Sequence, residues 1–499
     1  MKVTLVFVAE PEQVGRALWT APLTTPLLAE RLATAGHQVD LLDTRLLEHP
    51  PGTPQWDRAL ADRLAATDGD VVGISFMSHS RADGLRVAEL CRAAGRRTVA
   101  GGPHATVRPG DLARTGLFDV VVRGEGERAL IDVLNELRHA RGDSDSGRVV
   151  EGEPFVLDHY PPLRDVALYR EVYRPPETLT MPKAARLAGL PEGDLRHLLG
   201  VTGEAAGPTR KAIPVSELHR LAPELFPLRR EFRSIYLELG RGCPFRCRFC
   251  TLQNDWFSPK RPRHRPFDAV RDEIRHYVER FGTNYVIVVD SIAPAYTHFP
   301  RFVELMKTEF PAVEFSFNST AVHFTREVAD LLEGANCLVW FGLETASPRM
   351  ARRLRKPGHA RGNRRTARMC NERGIRFGVN LLIGVPGETP EDHELTLRFL
   401  SEARPYSPNP NILTPLPGTA LYDECAAPGS LRAPDDFHSW TAAEVRRTGQ
   451  GPVLGVDYAA VLDVYDRMLG FDRTGEVVHV ERNCHLKPSV AASAAHGAA

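Results

Sequence analysis

Three cysteines within eight residues constrain this chain more than any other feature. Cys243, Cys247 and Cys250 follow a C-x3-C-x2-C spacing in the segment GRGCPFRCRFC, residues 240–250. Three thiolates can hold three irons of a cubane cluster and leave the fourth iron open for chemistry. A structural zinc site would need a fourth ligand and usually a second C-x2-C pair. The remaining five cysteines are scattered singly along the chain, so the spacing favours a [4Fe–4S] cluster over zinc.

Length and composition indicate the number of domains, the compartment and the classes of partner. A chain of 499 residues predicts two or three domains, because single cores stop growing near about 250–300 residues. The formal net charge is zero, which gives no overall bias toward nucleic acid or membrane surfaces. Eight scattered cysteines are too few for a disulfide framework, and no apolar run approaches about 18 residues. These features predict a cytoplasmic protein without nucleic-acid or membrane partners.

Residues 1–140 alternate short apolar runs with helical patterns. This alternation predicts an α/β domain with a doubly wound, flavodoxin-like parallel sheet. Strands are predicted at residues 3–8, 38–42, 71–75, 98–100 and 119–123, and helices at 22–35, 57–66, 81–94 and 126–138. Ligands of such sheets bind outside the carboxyl ends of the strands, which places loops at residues 9–20, 76–80, 101–106 and 124–127 around a site.

Two common ligands of such a sheet fit poorly. Residues 124–129, GEGERA, match the dinucleotide pattern G-x-G-x-x-A, but they follow the last strand of the domain and carry two glutamates that would repel a pyrophosphate. A phospho-receiver domain needs an aspartate at the end of the third strand. That strand ends in GISFM, residues 73–77, without one.

The rest of the chain divides into three parts. Residues 141–230 predict a largely helical connector, with helical spacing at 190–199 and 215–225. Residues 231–430 predict six strands, at 234–239, 285–289, 314–318, 338–343, 376–383 and 411–416, with helices between them at 269–281, 325–332 and 363–372. The first strand delivers the cysteine loop at its carboxyl end, the face on which (β/α) barrels carry active sites. Residues 431–499 predict a C-terminal extension with helices at 442–447 and 458–469, a final strand at 477–484 and a disordered end.

The second domain resembles the radical S-adenosylmethionine (SAM) enzymes. The cysteine loop, GLETAS at 342–347, GVPGET at 384–389 and TPLPGTALY at 414–422 carry the resemblance. It implies a partial (β/α)6 barrel in which SAM chelates the open iron. By the same resemblance, SAM would contact Phe249, Asp290, Glu344, Ser347 and Gly384. For Glu344 the alternative is a carboxylate that is merely at the surface or salt-bridged.

The first domain resembles the cobalamin-binding domain that precedes many radical SAM enzymes. Glycines let a nucleotide tail approach the backbone closely, although they can equally make tight turns alone. The resemblance implies that cobalamin contacts Ser75, Gly101, Gly102, Gly124 and Glu125. The D-x-H-x-x-G motif, whose histidine ligates cobalt in related domains, is absent. His79 and His104 are loop candidates, but a solvent-exposed or hydrogen-bonded structural role is the favoured alternative for each.

Together the resemblances imply a cobalamin-dependent radical SAM methyltransferase. Cleavage of SAM would give a 5′-deoxyadenosyl radical that removes hydrogen from an unactivated carbon of a small molecule or natural-product intermediate, and methylcobalamin would donate the methyl group. An external electron donor such as flavodoxin or ferredoxin is implied. Cyclisation, ring rearrangement and P-methylation with the same cofactors stay open, as does a cobalamin-dependent sensor. RNA methylthiotransferases carry three more cluster cysteines in the first domain, whereas residues 1–140 contain only Cys91.

Overall fold

Two six-stranded parallel sheets with their helices make up most of the described structure. The computed structural model describes residues 1–9, 23–47, 49, 51–67, 69–139, 147–159, 178–179, 195, 197, 213–214, 234–253, 262–358, 360–427 and 429–471. The helices predicted at 190–199 and 215–225, the strand at 477–484 and the disordered end lie almost wholly outside these residues. No helix among the described residues is both long and apolar enough to cross a membrane.

The N-terminal sheet has the strand order β2-β1-β3-β4-β5-β6, with every pair parallel. Its strands are β1 Lys2–Phe7, β2 Gln38–Asp43, β3 Val71–Ser75, β4 Arg97–Gly101, β5 Val120–Gly124 and β6 Arg148–Gly152. Its helices are α1 Thr24–Thr34, α2 Pro54–Ala65, α3 Arg81–Ala93, α4 Gly102–Val107, α5 Pro109–Arg114 and α6 Gly126–His139. This is the predicted doubly wound fold, with β1 between β2 and β3.

Apolar residues alternate between two cores on opposite faces of this sheet. Leu5 belongs to the core that includes α1 and α6, whereas Val6 belongs to the core that includes α2 and α3. Successive strand residues point to opposite faces, and a sheet covered on both sides must be apolar on both. The short continuous apolar runs of the sequence therefore carry the fold of this domain.

Three features of the first domain differ from the prediction, one of which is the unpredicted short helix α5. Residues 102–107 form the short helix α4 rather than a loop, with Pro103 in its first turn, where the missing N–H of proline costs nothing. The sheet also extends beyond residue 140, because β6 pairs with β5 from Val120 to Gly124. β6 is an edge strand whose side chains are mostly exposed, so its sequence lacks the apolar run that marks the other strands.

The second sheet runs in unbroken sequence order, as a partial barrel does. Its strands are β7 Ser234–Leu237, β8 Tyr285–Val288, β9 Glu314–Ser319, β10 Cys337–Glu344, β11 Arg376–Ile383 and β12 Ser407–Ile412, all parallel. Its helices are α7 Phe267–Phe281, α8 Phe299–Thr308, α9 Arg326–Leu332, α10 Pro348–Arg353, α11 Ala360–Glu372, α12 Pro390–Ala403 and α13 Ala420–Cys425. β7 and β12 are the two edges of this open sheet.

The last barrel strand was predicted at the wrong place. The prediction put it at residues 411–416, but β12 spans Ser407–Ile412 and contains Pro408 and Pro410. Prolines argue against a central strand because they lack a ladder N–H, yet an edge strand tolerates them. Helices α8, α10, α12 and α13 were also not predicted.

The C-terminal extension completes the barrel core. It contains α14 Ala442–Thr448 and α15 Tyr458–Leu469, close to the two predicted helices. Val461, Val464, Tyr465 and Met468 of α15 are buried in the same core as the barrel strands, and α15 packs against β12. The edge strand is therefore covered by the extension on one side.

Candidate functional site

One cavity lies where the carboxyl ends of both sheets face each other. Its volume is about 340 Å³. The first domain contributes the ends of β3, β4 and β5, including all five predicted cobalamin contacts: Ser75, Gly101, Gly102, Gly124 and Glu125. The barrel contributes Gly240, Arg241 and Gly242 from the start of the cysteine loop, Leu252 just beyond it, and Val289, Asp290 and Ser291 after β8. The two domains therefore share a single pocket.

Two glycines shape the first-domain wall of this cavity through their backbone. Gly102 has a φ of +86°, and a Cβ built on it would lie 2.6 Å from the Ser75 Oγ. Gly124 has a φ of +96°, and its N–H donates to Thr106 Oγ1 at 3.1 Å. Side chains are disfavoured at such φ values, and at Gly102 there is no room for one. A slot lined by bare backbone fits the close approach that a cobalamin tail requires.

The candidate histidines do not face this cavity. His104 is fully buried, and its Nδ1 lies 3.0 Å from Ser78 Oγ. Its ring packs edge-on against Phe437. Burial lowers the pKa of His104 to about 3, so the imidazole is neutral at physiological pH. Neither His104 nor His79 is among the described residues that line the cavity.

The three loop cysteines lie close together, as their spacing predicts. None of the three is in a disulfide; Cys247 is buried and Cys243 and Cys250 are half-buried, and the Cys250 N–H donates to the Cys247 carbonyl at 3.1 Å. Burial raises the pKa of Cys247 to about 12 and that of Cys250 above its usual value, and the neighbouring thiols act in the same direction. No group of three or more ligands in the described ranges is already arranged to hold a metal ion. The donor set nevertheless fits a cluster with one open iron, whose binding would displace the thiol protons.

Glu344 is in a buried ion pair beside the cysteines, which is the salt-bridged alternative for this residue, and its partner Lys356 was not predicted. Lys356 Nζ lies 3.0 Å from Glu344 Oε1, and each side chain is 11% exposed. Burial alone would lower the pKa of Lys356, but Glu344 and the Cys247 thiol raise it above its ordinary value. Lys356 Nζ also lies 5.9 Å from the centre of the Phe249 ring. The one sequence feature that could have drawn attention to Lys356 is the rarity of lysine, since the chain has only seven.

Glu344 projects from a distorted strand end. Its φ of +61° is in the left-handed region, and the register of β10 against β11 shifts between Gly342 and Glu344. A Cβ on Gly342 would lie 2.6 Å from Lys356 Nζ, so a glycine leaves room for the ion pair. A strained non-glycine residue at a strand end is typical of functional sites. The structure therefore brings Phe249, Glu344 and Lys356 to the cysteine loop.

Asp290 holds the strand that leads into the cysteine loop. Its Oδ2 accepts the Leu239 N–H at 2.8 Å, and its backbone carbonyl accepts from Asn318 Nδ2 at 3.2 Å. Burial raises the pKa of Asp290 to about 8, and the nearby Glu238 carboxyl adds to the shift. Among the five predicted SAM contacts, Asp290 is the one that lines the cavity.

The two remaining predicted SAM contacts have visible structural roles. The Ser347 hydroxyl is buried, donates to Asp392 Oδ1 at 2.5 Å and caps α10 by accepting the Met350 N–H. Gly384 has a φ of +77°, and its N–H donates to Glu388 Oε2 at 2.7 Å. The Ser347 side chain is thus already committed, whereas Gly384 presents backbone in a tight turn after β11.

A charged seam joins the two domains beneath the cavity. Arg241 lies two residues before Cys243 and contacts Glu125 at 3.1 Å, Glu127 at 2.6 Å and Glu238 at 2.9 Å. Burial would raise the pKa of Glu125, but Arg263 and Arg241 lower it below its ordinary value. Of the residues in this seam, only Glu125 was predicted as a site residue. Its arginine partners lie more than a hundred residues away in the chain, so the sequence around Glu125 does not reveal them.

Comparison with known proteins agrees with this geometry. The B12 binding domain family matches residues 19–134, and the radical SAM superfamily matches residues 237–400. An uncharacterized methyltransferase of Pyrococcus horikoshii is 24% identical over 445 residues, covering 86% of this chain and 83% of that protein. The 2-(S-pantetheinyl)-carbapenam-3-carboxylate methyltransferase of Streptantibioticus cattleyicolor is 32% identical over 219 residues, covering 43% of this chain and 26% of that protein.

A solved structure shares the fold over nearly the whole chain. The radical SAM methyltransferase TsrM of Kitasatospora setae, with cobalamin and a [4Fe–4S] cluster bound, matches with a TM-score of 0.61 at 18% identity. The match covers 95% of this chain and 90% of that one. The two domains, their order and the cysteine loop define a cobalamin-binding radical SAM protein.

The chain belongs to the radical SAM superfamily and carries an N-terminal B12 binding domain. It is a radical SAM enzyme whose cofactors are a [4Fe–4S] cluster, SAM and cobalamin.

Proposed function

We propose that this enzyme transfers a methyl group to an unactivated carbon of a small molecule or natural-product intermediate. The observation that carries the proposal is the shared cavity, which brings the glycine-lined strand ends of the B12 binding domain to the start of the cysteine loop. A methyl donor and a radical generator must act on one substrate, so their sites must open into a common space. The methyltransferase names of the two relatives described above support the same reading.

The chain's own residues have distinct roles in this proposal. When bound, the cofactors supply the radical and the methyl group, and the protein supplies placement. Cys243, Cys247 and Cys250 hold the cluster. Ser75, Gly101, Gly102, Gly124 and Glu125 hold cobalamin against the sheet, while Phe249, Glu344 and Gly384 contact SAM.

Three further side chains act on position and charge. Lys356 lies beside Cys247 and Cys250 and can offset negative charge that develops there. Asp290 and Arg241 hold the segment that leads into the cysteine loop. Asp290 accepts the Leu239 N–H from within the barrel, and Arg241 pairs with Glu125 of the first domain. Ser347 is left out as a SAM contact, because its hydroxyl already bonds Asp392.

Product stoichiometry tests the proposed reaction. The anaerobically reconstituted enzyme would be given SAM with a deuterated methyl group, a low-potential reductant and candidate small molecules, with the C243A/C247A/C250A variant as control. The proposal predicts S-adenosylhomocysteine and 5′-deoxyadenosine in about equal amounts, with the deuterated methyl group in the product. The variant should form no 5′-deoxyadenosine.

Other product patterns would overturn the proposal at different levels. Formation of 5′-deoxyadenosine without S-adenosylhomocysteine contradicts methyl transfer and favours cyclisation or rearrangement. A methylated product without 5′-deoxyadenosine keeps methyl transfer but contradicts an unactivated carbon as acceptor. An enzyme that cleaves no SAM at all would support the sensor alternative.

A further inference from the structure

One segment of the barrel is strongly basic although the whole chain is neutral. Between Glu344 and Glu372 lie 27 residues with eight arginines, one lysine and no acidic residue. The chain has 63 basic and 63 acidic residues in 499, roughly one of each in every eight positions. A segment of this length would therefore average about three of each sign. Charge runs are often only solvated faces, so the pairing of each group decides what this one can do.

Four of the nine basic groups are paired with acids from elsewhere in the barrel. Arg349 pairs with Asp392, Arg353 with Glu424, Lys356 with Glu344 and Arg364 with Glu402. Five arginines are exposed and form no ion pair within the described part of the chain: Arg352, Arg355, Arg361, Arg365 and Arg368. We name these five the arginine face.

The arginine face begins at the cysteine loop. The Arg248 N–H, between Cys247 and Cys250, donates to the Leu354 carbonyl at 3.0 Å. Lys356, one residue beyond Arg355, interacts with the thiols of Cys247 and Cys250. From there α11 continues, with Arg361, Arg365 and Arg368 spaced i, i+4 and i+7 along one side of the helix. The segment that carries Arg352 and Arg355 therefore contacts the cluster loop, and α11, which follows it in the chain, carries the other three arginines.

The arginine face does not open into the shared cavity. None of its five residues is among the described residues that line that cavity. A macromolecule bound there would lie against the cluster loop without presenting a group to cobalamin. This position suits delivery of an electron to the cluster and does not suit delivery of a substrate.

We propose that the arginine face is the docking surface for an acidic, flavodoxin-like electron-donor protein. This inference rests on the cluster and the external reductant of the proposed function. The donor loses one electron and the [4Fe–4S] cluster gains it, going from the 2+ to the 1+ state, with no bond made or broken. Unpaired surface charges steer an oppositely charged partner and raise the rate of encounter, and the effect weakens as salt screens it.

The test compares two reductants on the same variants. Arg361→Glu/Arg365→Glu reverses two charges on α11, away from the loop that carries Lys356. Arg58→Glu/Arg63→Glu reverses two exposed arginines on α2 of the first domain and serves as the matched control. Reduction of the reconstituted holoenzyme's cluster would be followed by absorbance, first with reduced flavodoxin and then with dithionite. Binding of oxidised flavodoxin would be measured in parallel at low and high salt.

The docking proposal predicts that R361E/R365E slows reduction by flavodoxin at least about tenfold at low salt and weakens flavodoxin binding. Reduction by dithionite, which needs no docking, should be unchanged, and R58E/R63E should behave as wild type. Equal rates with flavodoxin would overturn the proposal, as would equal losses with both reductants. Tight binding of a short RNA without binding of flavodoxin would also overturn it. These measurements need no substrate, so they can fail without any failure of the proposed methyl transfer.

Discussion

At the scale of single residues, the site depends on positions where a side chain is either excluded or strained. Gly102 leaves the Ser75 hydroxyl and the backbone open to the cavity, and Glu344 adopts a left-handed φ to meet Lys356. Such positions cannot be separated from ordinary turns by local sequence, because a glycine after a strand serves both purposes. Whether such a position belongs to a site is decided by the residues that pack against it in the folded chain.

Substitution of Gly102 separates loss of space from backbone strain. Gly102→Ala adds a methyl group 2.6 Å from Ser75 Oγ at a φ of +86°, whereas Gly95→Ala has a φ of +71° and nothing within 4 Å. Both variants should lose about 1 kcal/mol of stability from the backbone conformation. Only Gly102→Ala should also lose bound cobalamin, measured by absorbance after anaerobic reconstitution and desalting. Equal cobalamin retention by the two variants would contradict the assignment of the slot.

At the scale of elements, the sequence predicted the interior strands well and the edges poorly. β3 and β11 occur where they were predicted, because buried parallel strands need continuous apolar runs. β6 and β12 are edge strands, one exposed and one rich in proline. Neither has the continuous apolar run that predicts a buried strand. The cysteine loop was predicted from spacing alone, whereas the Arg241 and Lys356 contacts join elements distant in sequence. Such contacts depend on tertiary packing and leave no local pattern.

The carboxyl that links β8 to the start of the cysteine loop should make stability depend on pH. Burial raises the pKa of Asp290 to about 8 from an ordinary value of 3.8. The folded state then keeps a proton that the unfolded chain releases, so the contribution of Asp290 is present in full below about pH 4 and is lost as the pH rises to about 8. Wild type should therefore lose stability relative to Asp290→Asn as the pH rises.

Denaturant unfolding between pH 5.5 and 8 measures this difference. The free energy of unfolding of wild type should fall relative to Asp290→Asn by up to about 1.4 kcal/mol per pH unit. Asp268→Asn, at the exposed first turn of α7, is the control and should show a difference that does not change with pH. A constant difference for Asp290→Asn, or one of opposite sign, would contradict a protonated Asp290.

At the scale of the whole molecule, two parallel sheets, one doubly wound and one a partial barrel, have their carboxyl ends at one pocket. The sequence predicted both domains and their order, because each carries motifs at the carboxyl ends of its strands. It could not predict that Glu125, Glu127 and Arg241 join the two domains in a charged seam. The C-terminal extension, without a motif of its own, proves to be part of the barrel core through α15.

A chain that holds a cluster and cobalamin side by side should show magnetic coupling between the two centres. The reconstituted enzyme would be poised with both the reduced cluster and cob(II)alamin and examined by electron paramagnetic resonance. We expect about four irons and one cobalamin per chain, with a measurable dipolar interaction between the two centres. The C243A/C247A/C250A variant should lose the iron signal but keep cobalamin, while C91A/C337A/C370A should keep both. Absence of bound cobalamin, or two centres without magnetic interaction, would contradict the shared cavity.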